Sequence, residues 1–130
     1  AAALMASKAG SATPLPNWVR FGFGRAAVAR AAGTGSKAMN DMKSRARAAI
    51  MARPPSKAED AWSTENPIVD TSLMDYIAFG PGSANFSKFL VALRPGENGD
   101  QPGIDQVLMA VMWDKDGLDK AWKKYVLTGK

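Results

Sequence analysis

Residues 85–96 run Asn85-Phe86-Ser87-Lys88-Phe89-Leu90-Val91-Ala92-Leu93-Arg94-Pro95-Gly96. Phe86, Phe89, Leu90 and Leu93 recur at i, i+3, i+4 and i+7, the spacing that lines one face of an α-helix, with Ser83 or Asn85 as its start and Pro95-Gly96 as its stop. The pattern repeats on both sides of this stretch. Toward the N-terminus, Leu73, Met74, Ile77 and Ala78 share a face between a cap at Asp70 or Thr71 and the breaker Gly80-Pro81. Before that, Ser56-Lys57-Ala58-Glu59 has the S-x-x-E form of a capping box and opens a turn that runs to Trp62, where Asn66-Pro67 forces an extended bend.

Toward the C-terminus, Pro95–Gly103 is dense in Pro, Gly and acids and predicts an exposed loop. Helical spacing resumes with Ile104, Val107, Leu108, Val111 and Met112. It breaks over Asp114–Gly117 and returns with Leu118, Ala121, Trp122, Tyr125 and Val126, capped by Asp116 and stopped by Gly129. No sustained period-two alternation occurs, so the expected class is mostly α, and Trp113 and Trp122 are expected in the core.

The first part of the chain has a different composition. Residues 1–58 hold ten Lys and Arg against one acid, Asp41, while residues 59–130 hold seven against eleven. The chain's +5 is therefore +9 followed by −4. Seventeen of the first 58 residues are Ala, which leaves little apolar volume to offset the ~1–2 kcal/mol per residue that ordering a backbone costs. The expectation is an extended basic N-terminal arm over 1–58 and a small body of four to five short helices over 59–130. The arm carries one amphipathic helix, Ser36–Arg53, with Met39, Met42, Ala46, Ala49 and Ile50 on one face and Pro54-Pro55 at its end. A shorter helix is expected over Ala26–Ala32, between glycine pairs.

With no Cys and no His in the chain, thiol nucleophiles, disulfides, Cys/His metal centres and histidine relays are excluded. No catalytic, cofactor-binding or metal-ligating residue is assigned. Gly22-Phe23-Gly24-Arg25-Ala26-Ala27 fits G-x-G-x-x-A, but Pro14-Leu15-Pro16 stands where the required strand would be. Gly33-Thr34-Gly35-Ser36-Lys37 lacks the order of a phosphate-binding loop. Asp114-Lys115-Asp116-Gly117 resembles the middle of a calcium loop, but Met112 and Lys123 then occupy its first and last ligand positions. Lys88, between Phe86 and Phe89, is a Schiff-base candidate only if desolvated, and snorkelling keeps such an ammonium in water.

The functional expectation is accordingly adhesive rather than chemical. Trp18, Phe21 and Phe23, with Arg20, Arg25 and Arg30, are expected to bind protein neighbours, since interface energy concentrates in aromatic and Arg side chains. The first forty residues contain no acid and are rich in Ala, Ser and Arg, and the chain begins with Ala. That composition approaches an organellar transit sequence and predicts a mature organellar protein. The apolar run Val107–Trp113 is far shorter than the ~20 residues of a membrane span, so no transmembrane segment is expected, although an anionic lipid surface is a candidate contact. These features predict a non-catalytic accessory subunit, peripheral to a large photosynthetic (photosystem) or respiratory complex at the chloroplast thylakoid or mitochondrial inner membrane. The alternative is an organellar ribosomal protein that binds RNA through the same cations and rings. A small enzyme or enzyme regulator ranks third.

Overall fold

The structure is a computed structural model and describes residues 15–94 and 102–129. Those residues form seven α-helices and one 3₁₀ segment, and there is no strand among them. The mostly α class expected is the one observed. The helices are α1 Asn17–Ala32, α2 Lys37–Met51, α3 Asp60–Ser63, α4 Pro67–Phe79, α5 Phe86–Ala92, α6 Ile104–Ala110 and α7 Lys115–Thr128, with the 3₁₀ segment Pro81–Asn85 between α4 and α5. The first fourteen residues of the expected arm and most of the turn-rich stretch that begins at Pro95 lie outside the described residues.

Helix α4 is the axis of the fold, because every residue from Val69 to Ile77 is buried. A helix without a polar face must be covered all round. Helix α1 lies along it most extensively, and α2, α3, α7 and the 3₁₀ segment cover the rest. Its cap lies four residues earlier than Asp70, at Asn66, and the helix starts at Pro67: Asn66 Oδ1 accepts the N–H groups of Ile68 and Val69 at 3.0 and 3.3 Å, and Pro67 occupies the first helical position, where no N–H is needed. Asp70 and Thr71, expected as caps, are instead buried one turn inside.

Helix α1 also exceeds its expected length. The predicted Ala26–Ala32 piece is the second half of a sixteen-residue helix that runs straight through Gly22 and Gly24. Gly22, Ala26 and Ala29 are buried at i, i+4 and i+7 and form a small-residue face toward α4. A Cβ built at Gly22 would stand 2.5 Å from Asp70 O, so only glycine admits this approach. The G-x-G-x-x-A pattern therefore lies in a helix interior, where it serves helix packing, and not at the helix N-terminus that binding a pyrophosphate requires.

The other elements follow their local signals with small displacements. Ser36 Oγ accepts Met39 N–H at 3.2 Å and caps α2, whose Met39, Ala46 and Ile50 face inward. In place of a capping box, Asp60 accepts the N–H of Lys57 at 3.0 Å, and Asp119 of α7 accepts that of Ala58 at 2.8 Å. Asp114, not Asp116, caps α7 by accepting from Gly117 N–H, and Gly129 ends it with φ +79°. Helix α6 stops at Ala110, so Met112, expected in the apolar stripe, takes φ +61° and is 93% exposed.

One core unites the described residues. Leu15, Trp18, Val19, Ile50 and Ala58 share it with Leu73, Ile77, Phe89, Val107, Leu108 and Trp122. Trp18 meets Trp62 at 5.4 Å and Phe89 at 6.1 Å between ring centres. Trp122 is fully buried and Trp113 partly so. The described part of the arm, 15–58, thus packs on the rest of the chain. Small residues achieve this by proximity rather than volume, a route the Ala-rich composition conceals.

Candidate functional site

The polar residues buried in α4 define the most unusual region of the molecule. Asp70, Ser72 and Asp75 lie under α1 and α7, where an unpaired polar atom would cost several kcal/mol, so each has been given a partner. Arg25 Nη1 donates to Asp70 Oδ1 at 3.1 Å, and Thr71 Oγ1 donates to the same oxygen at 3.1 Å. Trp122 Nε1 donates to Ser72 Oγ at 3.0 Å. Asp75 takes the densest set. Arg30 reaches it with two donors, Nε to Oδ1 at 2.7 Å and Nη2 to Oδ2 at 3.0 Å, and Tyr125 O–H donates to Oδ2 at 2.8 Å. Arg30 Nη2 also donates to Tyr125 Oη at 2.7 Å, which closes a triangle across α1, α4 and α7.

The electrostatics of the two carboxylates differ. Burial pushes Asp70 up to about 6, and the hydrogen bond from Thr71 and the charge of Arg25 only partly offset it. Arg25 is half exposed, so its charge is well screened. The hydrogen bond and charge of Asp75 hold Arg30 above its ordinary range against the cost of its burial. Burial, aided by Asp75, pushes Tyr125 up to about 12, so the phenol stays a donor at every physiological pH.

The Arg30–Asp75–Tyr125 triangle lies on the inner side of a cavity of about 640 Å³ between α1, α2, α4 and the end of α7. Asn40, Lys43, Ser44 and Arg47 of α2 line its outer side, with Met42, Ala46, Val126 and Leu127 as the apolar part of the wall. Arg47 Nη2 donates to Leu127 O at 3.4 Å. A second feature is a groove of about 350 Å³ between α5 and α6, lined by Ser87, Lys88, Val91, Ala92 and Ala110. Met109 on α6 is 74% exposed, and Met112 in the turn after α6 is also exposed. Lys88 is exposed, as snorkelling requires. Among the described residues no group of three or more acids is placed to hold a metal ion.

The six residues expected to bind partners divide into two sets. Trp18, only 6% exposed, is a core residue of this chain and not an open anchor. Phe23 stacks on Phe79 and Phe86 at 5.6 and 5.8 Å, and Arg30 is spent on Asp75. Phe21, at 49%, remains outward with the guanidinium groups of Arg20 and Arg25 over its ring at 5.1 and 5.8 Å. Arg20 donates to Asn17 Oδ1 at 2.9 Å while its buried Nε has no partner. Asp70, Asp75 and Tyr125 escaped sequence reasoning, and the available signal was α1 itself, a helix with three arginines and no acid. No family model, no curated protein and no solved structure gives a significant match to the chain.

Proposed function

We propose that this chain is a non-catalytic accessory subunit, peripheral to a large organellar membrane complex of the photosynthetic or respiratory kind, and that it docks on a neighbouring subunit through the α5–α6 edge. The observation that carries this reading is the exposure of Val91 in the groove between those helices together with that of Met109 on α6 and Met112 just after it. Met side chains adapt to an irregular apolar partner, and an apolar patch left in water is the commonest mark of a protein interface. Lys88 at the groove favours a partner with an acidic rim. No described helix is long and apolar enough to cross a membrane, in keeping with a peripheral position.

A second observation favours the RNA-binding alternative. Lys37, Lys43, Arg45 and Arg47 are all exposed on α2, and none of them forms an ion pair with the described carboxylates. The two readings separate in one experiment. The untagged protein is purified from its source in mild detergent, with Met109→Asp and Met112→Asp combined in a second preparation. Respiratory or photosynthetic subunits that co-purify with the native chain and are lost from the variant support the accessory role. Retention of those subunits by the variant sinks the α5–α6 edge as the docking surface, and co-purification of ribosomal RNA installs the alternative.

A further inference from the structure

We propose that the cavity between α1, α2, α4 and α7 binds a small anionic amphiphile, with a phosphomonoester head between Lys43 and Arg47 and an apolar body along Met42 and Val126. The proposal uses no residue of the α5–α6 edge and stands or falls apart from the accessory role. Its first support is size, since about 640 Å³ falls in the ~300–1,000 Å³ of small-molecule sites. Its second is charge. Three cations and one carboxylate line the cavity, and the carboxylate, Asp75, is already matched by Arg30. Lys43 and Arg47 are left as two positive charges without an acid, which suits the charge of about −1.5 to −2 that a phosphomonoester carries at neutral pH.

The third support is preorganisation. The bonds from Arg30 and Tyr125 to Asp75 pin α1, α4 and α7 together, so the inner side of the cavity is rigid before any ligand arrives. The carbonyl end of α7, which would repel an anion, is covered where Arg47 donates to Leu127 O. Asn40 and Ser44 add neutral hydrogen-bonding groups on the outer side, and Met42, Ala46, Val126 and Leu127 offer the apolar lining that a bare inorganic ion does not use. An apolar wall with a cationic rim is the combination that favours an amphiphile over phosphate alone.

Calorimetric titration of the full chain with dodecyl phosphate, below its micelle concentration, tests the site. Saturable one-to-one binding is expected, with inorganic phosphate and uncharged dodecyl maltoside each at least about tenfold weaker. Lys43→Ala with Arg47→Ala should weaken dodecyl phosphate by about tenfold or more, because charge-assisted bonds to the head are lost. Lys37→Ala with Arg45→Ala removes the same charge from the same helix outside the cavity and should change binding less than about twofold, apart from long-range screening effects. All four side chains are exposed, and unchanged circular dichroism verifies the fold. Equal losses from both pairs, or equal binding of the maltoside, overturn the proposal. Vesicles containing phosphatidic acid then identify the source: sedimentation that depends on Lys43 and Arg47 assigns the head to a bilayer lipid, and its absence beside tight dodecyl phosphate binding assigns a soluble ester.

Discussion

Gly22 on α1 lies against the backbone of Asp70 on α4, so closely that a β-carbon at position 22 would be 2.5 Å from Asp70 O and 2.9 Å from Met74 Cγ. The contact sets the distance between the two most extensively packed helices. It also brings Arg25 and Arg30, one and two turns further along α1, over the carboxylates of Asp70 and Asp75. Placing α1 therefore depends on one glycine and on the bidentate Arg30–Asp75 pair acting together, while the half-exposed Arg25 adds less.

Gly22→Ala is the direct measure of that dependence. In an open helix the change stabilises by up to ~1 kcal/mol, because glycine is the poorer helix former. Here α1 must move off α4, and overpacking of this kind costs ~1–3 kcal/mol or more. Urea denaturation should show a net loss of stability. A gain of the open-helix size would mean that the helices separate without cost and that the close contact is not what holds α1.

The pH dependence of stability isolates Asp70. Its carboxyl titrates near 6 in the folded chain and near 4 when unfolded, so as pH falls from 7 the folded state takes up the proton first. Protonation then favours folding, and the contribution of this group, of order 2–3 kcal/mol, grows from neutral pH down to the unfolded value and is absent above the folded one. Asp70→Asn presents a neutral side chain of the same shape. It should match or exceed wild-type stability at pH 7.5 and flatten the slope of melting temperature between pH 7 and 4.5. An unchanged slope in the variant would place the titration elsewhere.

The Asp75 carboxylate is matched by Arg30 and Tyr125 together. Replacing it by Asn leaves Arg30 without its counter-ion and Tyr125 with a weaker acceptor, and removing one partner of such a pair costs ~3–5 kcal/mol when both are buried. Since Arg30 is one-third exposed, the lower end, about 3 kcal/mol, is expected. Tyr125→Phe should cost about 1–2 kcal/mol. The two losses should not add, because both act on one triangle. Additive losses in the double variant would show that the tyrosine hydroxyl is not part of the network.

Much of the body was legible in the sequence. Phe86 and Phe89, Val107 and Leu108, and Leu118 and Trp122 all lie where their spacing put them, since a long apolar side chain at helical period has one face to bury. Ser36 and Gly129 mark helix ends for local reasons that need no tertiary partner. What the sequence concealed depends on partners far along the chain. Asp70 reads as a cap because an acid near a helix start usually is one, yet Arg25, forty-five residues away, allows it to be buried. The Ala-rich stretch reads as poor in core, yet its small side chains let a second helix approach more closely than large ones would. Trp18 illustrates the consequence. Trp18→Ala should lower the melting temperature of the isolated protein by an amount corresponding to ~3–5 kcal/mol, as for other core Trp truncations. Unaltered melting would show that the core does not depend on Trp18.

Met112 joins conformation to the proposed role. A non-glycine residue at φ +61° costs roughly 1–2 kcal/mol relative to its favoured backbone, and a side chain 93% exposed recovers none of that through burial within the chain. Strain of this kind persists where the surroundings impose it and is often found at functional surfaces. Met112→Gly removes the strain and the side chain together. The free protein should gain about 0.5–1 kcal/mol in stability, since glycine adopts this backbone region without penalty. Incorporation into the assembly should fall, because the most exposed apolar contact of the α5–α6 edge is gone. The two measurements together are decisive, since a merely structural residue would move stability and assembly in the same direction. A variant that is both more stable and fully incorporated would remove Met112 from the interface, and one that is less stable would show that the left-handed turn is held by the methionine itself.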